Sequence, residues 1–478
     1  MRIWIRRVLK YVVLPLAVLL LVVGGLFVLL VGPWPTYADS EYRERAYFAD
    51  TLARLDASLA QSEKTAHPGR LHAGWAERAM DELPPGTPLA GYSARPNEKR
   101  STGTHDPVYA RAIVMSDGVD TVALAGCDML MTTLNLAQHV WAQVGAATPL
   151  TPDDILFTTS HTHCGPGGFA PGLLAEYSAG EYDPAIEAEV SGSIADAIIE
   201  AYEKQGPASL AHGRADAPEY IENRTRMPVE DASLRFMLLR KESGETCYAV
   251  RYSAHPTVLP QEFLELSAEY PGALCKRLRE KTGAMPVFLG GAVGAMGPVA
   301  PEGGTPVERM RRMGEALADK VLANAGGLAF KTHLDILSAG GRVDMPPMQA
   351  RPFSAGWRLS PLFAHIIGLP PEGWIQAVRA GDLVFLGLPY DSGGEIAQQW
   401  AEAAAVDGYD LWVSSHCIAY CGYLSPDRYY MRVPKGYDQH YEWRLMNWFG
   451  PNQEALYTDL KEHLVAEMMG KPGRGGQG

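Results

Sequence analysis

The sequence predicts an α/β protein, a layered mixed-sheet sandwich with flanking helices, preceded by one N-terminal transmembrane helix. Three observations carry this reading. From Ala110 onward, short β-prone runs alternate with helical patterns, the layout of strands covered by helices. Two pairs of strand runs are joined by short polar turns while others are separated by helices, so hairpins and crossovers both contribute and the sheets are mixed. Near the start, Tyr11 to Val31 is a run of about 20 apolar residues without a charge, long enough to span a bilayer as a helix.

Arg2, Arg6, Arg7 and Lys10 precede that run, and the flank from Pro33 to Glu41 is acidic. By the positive-inside rule the short basic end stays in the cytoplasm and everything after Gly32 is exported. A cleaved signal peptide is the competing reading, since Thr36-Tyr37-Ala38 is a tolerable cleavage site, but the apolar core is longer than such peptides carry. Residues 1–32 are therefore read as basic end and anchor, giving a single-pass membrane protein with an extracytoplasmic body. Residues 33–84 are read as stalk and first helix, with Leu52, Leu55 and Leu59 on one stripe of an amphipathic helix from Glu41 to Glu63.

In the body, Ala110 to Met115 and Thr121 to Gly126 flank Ser116-Asp117-Gly118-Val119-Asp120 as a hairpin. A second hairpin runs from Leu234–Leu239 to Tyr248–Tyr252 and aims at His255. Helical patterns cover Asp183 to Lys204, Pro306 to Ala325, Gly394 to Ala405 and Gln453 to Met469, and further strand runs lie at Pro286–Leu289, Trp374–Val378 and Leu383–Leu388. The tail 470–478 reads as low-complexity and disordered.

At 478 residues with 47% hydrophobic content the chain can bury a substantial core, while a net charge of -13 without basic clusters in the body argues against nucleic acid as a partner. The 6 cysteines show no regular spacing and do not read as a disulfide framework, although Cys417 and Cys421 are close enough to close a small loop.

The chemistry concentrates at Ser160-His161-Thr162-His163-Cys164-Gly165-Pro166-Gly167-Gly168, directly after the apolar run Asp154 to Thr159. A strand that stops at two imidazoles and a Gly/Pro-rich turn delivers polar groups to a sheet end, where α/β proteins keep their ligands. If the strand continues, the two rings of His-x-His point to opposite faces, one toward a metal and one toward a substrate. His255 sits where another strand-like run meets Pro256, and Leu388-Pro389-Tyr390-Asp391 is a third apolar run that ends in an acidic residue. Three strand ends thus finish in possible zinc ligands. Asp128 could orient a ligand histidine from behind. His105 and His416 read as structural histidines, and Gly165 to Gly168 lacks the Gly-Lys-Ser/Thr ending of a phosphate loop.

The histidine nonamer, Leu89-Ala90-Gly91-Tyr92-Ser93-Ala94-Arg95 with Gly103 to Arg111, and Ala254-His255-Pro256-Thr257 together resemble the catalytic domain of the neutral/alkaline, non-lysosomal ceramidases. The resemblance runs from about Pro85 to about Leu464, and residues 85–469 are assigned to that domain. It implies Zn2+ held by His161, His255, Asp391 and, in Tyr420-Cys421-Gly422-Tyr423, by Tyr423. It also implies substrate-facing roles for His163, for Arg224 of Asn223-Arg224-Thr225 and for Tyr441 of Gln439-His440-Tyr441-Glu442. Two features depart from the family. Asp391 stands where the family has Glu, and the turn Gly290 to Pro298 puts Ala295 at the family's Asp and Gly297 at its Ser. A zinc-bound hydroxide needs no serine. The implied function is a membrane-anchored zinc amidohydrolase acting on the N-acyl bond of a ceramide-like lipid. Its rivals are a hydrolase of another acyl ester or amide, and a non-catalytic lipid-binding relative.

Overall fold

The structure is a computed structural model that describes residues 2–32, 41–62, 68–92, 100–353, 356–431 and 440–470. Its largest sheet has eight strands: β1 His72–Ala79, β2 Tyr109–Ser116, β3 Thr121–Cys127, β4 Ile155–Thr159, β5 Gly206–Asp216, β6 Ser233–Lys241, β7 Thr246–Tyr252 and β8 Met285–Gly290, in the order β8-β7-β6-β5-β1-β2-β3-β4. Both expected hairpins are present, as antiparallel β2/β3 and β6/β7, while β3/β4 and β7/β8 pair in parallel across helical crossovers. A second sheet of four strands, β9 Ile336–Asp344, β10 Glu372–Ala380, β11 Leu383–Gly387 and β12 Asp410–Ser414, is antiparallel except for its last pair. The sheets are mixed, as expected.

The large sheet curls until its two ends meet, and glycine makes the approach possible. A Cβ on Gly126 of β3 would lie 2.1 Å from the Phe288 carbonyl of β8, and one on Gly290 would lie 2.1 Å from that of Thr159. Only hydrogen fits there. Leu156 and Phe157 of β4 share a buried core with Val378, Phe385 and Trp412 of the second sheet, so the two sheets pack as layers.

Helices cover the outer faces. Pro184–Glu203 starts at Pro184 with the Asp183 side chain accepting from Ala185 N–H, and Pro306–Asn324 starts with a Thr305/Glu308 capping box. Gly394–Val406 and Gln453–Met468 fall within a residue or so of their expected bounds. The first body helix is Ala46–Leu59; its fully buried Leu55 packs in the core of the second sheet, so this segment is a packed helix rather than a free stalk. Glu63, the segment 33–40 and all of the expected tail beyond Gly470 lie outside the described residues.

The helix Ile3–Leu30 is 28 residues long and apolar enough to cross a membrane. At its far end Phe27 lies against Phe353 and Trp357, and Leu30 accepts a hydrogen bond from Ser360 N–H. All six cysteines are buried, and Cys417 and Cys421 are both unbridged thiols that close no loop. Cys127, Cys247 and Cys417 sit within the main core.

Candidate metal centre and active site

Strand β4 ends at Thr159, and two residues later the backbone turns into the left-handed region, with φ 65° at His161. A residue with a Cβ adopts this conformation only where its surroundings enforce it. Because the strand does not continue, the rings of His161 and His163 do not diverge as the sequence suggested. They converge with His255: Nε2 of His255 lies 3.0 Å from Nε2 of His161 and 3.0 Å from Nε2 of His163, and the last two are 3.4 Å apart.

What holds each Nδ1 distinguishes these rings. His161 Nδ1 lies 2.6 Å from the Leu130 carbonyl and His255 Nδ1 lies 3.3 Å from that of Val293. A carbonyl only accepts, so both rings carry the proton on Nδ1 and present Nε2 as a lone pair, the form that ligates a metal. For His163 the sense is reversed: Nδ1 accepts from Tyr92 N–H at 3.3 Å, which leaves the proton on Nε2. That ring is a donor into the same space. Burial pushes the His161 imidazole down to about 3 and that of His255 well below its ordinary value, so both are neutral.

Asp391 follows β11 through Leu388-Pro389-Tyr390 and is buried, paired in parallel register with Tyr423. Its Oδ1 lies 3.2 Å from His161 Nε2 and its Oδ2 accepts from Tyr420 Oη–H at 2.7 Å. Burial works to raise this carboxyl, but the neighbouring His416 imidazole and the Tyr420 hydroxyl outweigh it and hold the group below the usual carboxylate range. Among the described residues the potential ligand atoms form two triads, each within 4.8 Å: His161, His163 and His255, and His161, Asp391 and His416. Neutral imidazole lone pairs beside a buried carboxylate are the donor chemistry of a zinc-like cation. Asp391 Oδ1 makes no hydrogen bond, which fits a group that expects a cation.

Arg224 stands just past the short strand Ile221–Asn223, which pairs with Met296–Pro298. Its Nε donates to Glu442 Oε1 at 2.7 Å and its Nη2 to the Tyr423 hydroxyl at 3.1 Å, while its guanidinium faces the Tyr441 ring at 5.7 Å. The Tyr423 and Tyr441 rings meet edge to face at 5.8 Å. Burial raises the phenols of both, Tyr441 up to about 12, so both are protonated near neutrality.

Residues 84–231 match the family model described as neutral/alkaline non-lysosomal ceramidase, N-terminal. The resemblance to that family holds. A neutral ceramidase of Mycobacterium tuberculosis is 26% identical over 133 residues, which make up 26% of this chain and 21% of that protein, about a fifth of its length. The crystal structure of neutral ceramidase from Pseudomonas aeruginosa aligns with a TM-score of 0.72 at 19% identity, covering 85% of this chain and 76% of that one. A ceramidase complexed with C2 aligns with the same TM-score of 0.72 at 17% identity, covering 85% and 77%. These structures share the fold. The family-model match contains His161, His163 and Arg224, whereas His255, Asp391, Tyr423 and Tyr441 lie beyond it.

Of the two departures from the expected pattern, the one at Asp391 has a local counterpart, and nothing in the structure explains the other. The shorter Asp391 needs its segment close to the turn at 290–298, and Gly294 allows this: a Cβ there would lie 2.6 Å from the Asp391 carbonyl. Ala295, at the family's Asp, sits at φ 66°, a left-handed position that short polar residues tolerate better. Gly297 leaves the turn without a hydroxyl.

Some functional contacts were not legible. Asp128 pairs with Arg111 at 2.9 Å and with Tyr109 N–H at 3.0 Å rather than orienting a ligand, a task taken by the Leu130 and Val293 carbonyls. His416, read as structural, touches Asp391 at 3.2 Å and stacks on His161 at 4.0 Å. A signal for it exists: Leu411-Trp412-Val413 followed by Ser414-Ser415-His416 repeats the apolar-run-then-histidine pattern that leads to His161. His105, in contrast, lies 3.7 Å from Glu265 and packs against Phe263, away from the cluster. Ser93, Ala94, Arg95 and Gln439 of the quoted motifs lie outside the described residues.

Proposed function

We propose that this protein is a zinc-dependent hydrolase of an acyl bond, with the N-acyl bond of a ceramide-like lipid as its substrate. The observation that carries the reading is the meeting of two Nε2 lone pairs, from His161 and His255, beside buried Asp391 and next to a histidine of opposite tautomer. His161, His255, Asp391 and Tyr423 would hold the metal. When bound there, zinc supplies an activated water near neutral pH and polarises a carbonyl.

The protein's own groups complete the chemistry. His163 keeps its proton on Nε2 and directs it into the cluster, where it hydrogen-bonds the carbonyl oxygen as negative charge develops. Arg224 is held by Glu442, so its charge stays fixed beside Tyr423 and Tyr441; Tyr441, 43% exposed, is the member placed to meet a substrate head group. An apolar cavity of about 250 Å³, lined by Met131, Leu134, Ala170, Leu174 and Trp448, reaches Tyr420, whose hydroxyl binds Asp391. It offers room for an acyl chain. We read the helix Ile3–Leu30 as a membrane anchor with the body on the exported side.

Gly297 favours one competing reading, a lipid-binding relative that has lost catalysis. The test is release of fatty acid from N-acyl and O-acyl lipids by the full-length protein in detergent, before and after chelation. Chelator-sensitive release from an N-acyl sphingoid lipid is expected. Release only from O-acyl lipids would move the substrate class, and no release by metal-loaded protein would favour the non-catalytic reading.

A further inference from the structure

Among the described residues, none of the apolar window of the helix Ile3–Leu30 is buried in the body. The body meets the helix at its far end. The Phe27 ring lies 6.4 Å from that of Phe353 and 5.8 Å from that of Trp357, and the Leu30 carbonyl accepts from Ser360 N–H at 2.9 Å. Phe27 stands one helical turn before the end of the apolar run, about 5 Å inward along the axis. Where that run spans a bilayer, Phe353 and Trp357 are drawn to the same depth, the level at which aromatic belts sit.

The chain that continues from this contact is apolar and faces outward. From Leu359 to Pro371 it carries no Asp, Glu, Lys or Arg. The helix Pro361–Ile367, capped by Ser360 accepting from Phe363 N–H, divides its apolar residues between two faces. Phe363 and Ile367 pack on the core of the second sheet, while Leu362 and Ile366, one turn apart, are exposed, as is Phe353. A second short helix, Leu173–Ala179, does the same: Leu174 packs inward while Leu173 and Tyr177 are exposed. The apolar cavity of about 250 Å³ joins the two, lined by Leu174 and Ala175 of one helix and by Gly368 and Pro370 just past the other. Single exposed apolar residues need no explanation, but two such faces next to a membrane helix and a shared cavity do.

We infer that Pro361–Ile367 and Leu173–Ala179 form a membrane-contact face, seated in the headgroup and upper acyl region of the exported leaflet, with the cavity opening between them onto lipid. This rests on the reading of Ile3–Leu30 as an anchor, whose docked end sets the height of the body above the bilayer. Lipid then covers Leu362, Ile366, Leu173 and Tyr177, removing from water the apolar area that the body leaves bare. An acyl chain enters the cavity sideways from the leaflet without crossing water.

The test uses the full-length protein reconstituted into phosphatidylcholine vesicles. An environment-sensitive fluorophore is attached through Leu362→Cys, Ile366→Cys or Leu173→Cys, with the unsubstituted protein, whose cysteines are buried, as background. Val119→Cys is the solvent reference: it is exposed at the end of β3 away from Met131, which lines the cavity. The three labels are expected to emit at shorter wavelength than the reference and to lose most of their intensity to phosphatidylcholine carrying a nitroxide but little to aqueous iodide. The reference should show the reverse. On a chain retained in the vesicles, a label at any of the three sites that behaves like Val119→Cys overturns the face, and so does one shielded from both quenchers, which would mark a protein partner there. Near-ultraviolet circular dichroism checks folding, and because the three sites are independent and exposed, any folded variant decides for its own helix. A chain that alkaline carbonate extracts from the vesicles overturns the anchor reading itself, a result distinct from solvent-exposed labels on a retained chain.

Discussion

His161 and His255 each donate Nδ1–H to a backbone carbonyl, while His163 accepts from a backbone N–H, so the tautomers are fixed by main chain rather than by titrating side chains. Such an arrangement keeps its sense over a wide pH range. A different residue should give the protein its pH response. Glu269 opens the helix Glu269–Thr282, fully buried, with Leu259 N–H and Tyr270 N–H donating to its carboxylate. Burial outweighs those bonds and raises the carboxyl from 4.5 to about 7. A raised folded value means that its contribution to stability is fully present below about pH 4.5 and is lost as pH rises through about 7, amounting to about 3 kcal/mol at most. Thermal unfolding in detergent at about pH 5 and about pH 8 should therefore fall more steeply in wild type than in Glu269→Gln. The amide also changes stability by leaving one N–H poorly matched, an effect independent of pH, so the slope is the readout. Equal slopes would show that Glu269 is ionised throughout.

At the scale of elements, the site depends on how closely the turn at 290–298 approaches the Asp391 segment. A Cβ on Gly294 would lie 2.6 Å from the Asp391 carbonyl and 2.8 Å from that of Ser392, both backbone atoms. Gly294→Ala must therefore displace the segment that carries Asp391, and we expect it to cost about 2 kcal/mol or more and to weaken metal binding. At Gly297 the backbone is not left-handed and a Cβ would meet Glu222 Cγ at 3.5 Å and Arg224 Cβ at 3.6 Å, ordinary contacts. Gly297→Ser, which buries a hydroxyl without a steric clash, should cost about 1 kcal/mol, which unfolding midpoints will check. The same turn illustrates what sequence could and could not reveal. Strands β4 and β11 and the hairpin leading to His255 were legible because each is an apolar run that stops at Ser, Pro or a turn. The helix Leu134–Ala147 was not, although Thr133 caps it by accepting from Leu136 N–H; nor was β5, whose Gly206, Pro207 and Gly213 break the pattern of a strand. The direction of His163 was hidden as well, because it depends on the left-handed turn at His161 and on Tyr92, a residue far away in the chain.

Across the whole molecule, the candidate site joins segments near residues 161, 255 and 391, from the ends of strands of both sheets, so fold and site are assembled together. The helix Ile3–Leu30 meets the body at Phe353, Trp357 and Ser360. With four basic residues before it and none in the ten residues after Val31, we predict that a reporter fused after Gly478 works only if it functions in an exported compartment. Activity of a cytoplasm-only reporter at that position would reverse the topology. The central claim, that His161 and His255 hold a metal, is tested most directly by elemental analysis of purified protein. The wild type should carry about one zinc per chain, and His161→Ala and His255→Ala should each lose most of it; full zinc content in both variants would contradict the account.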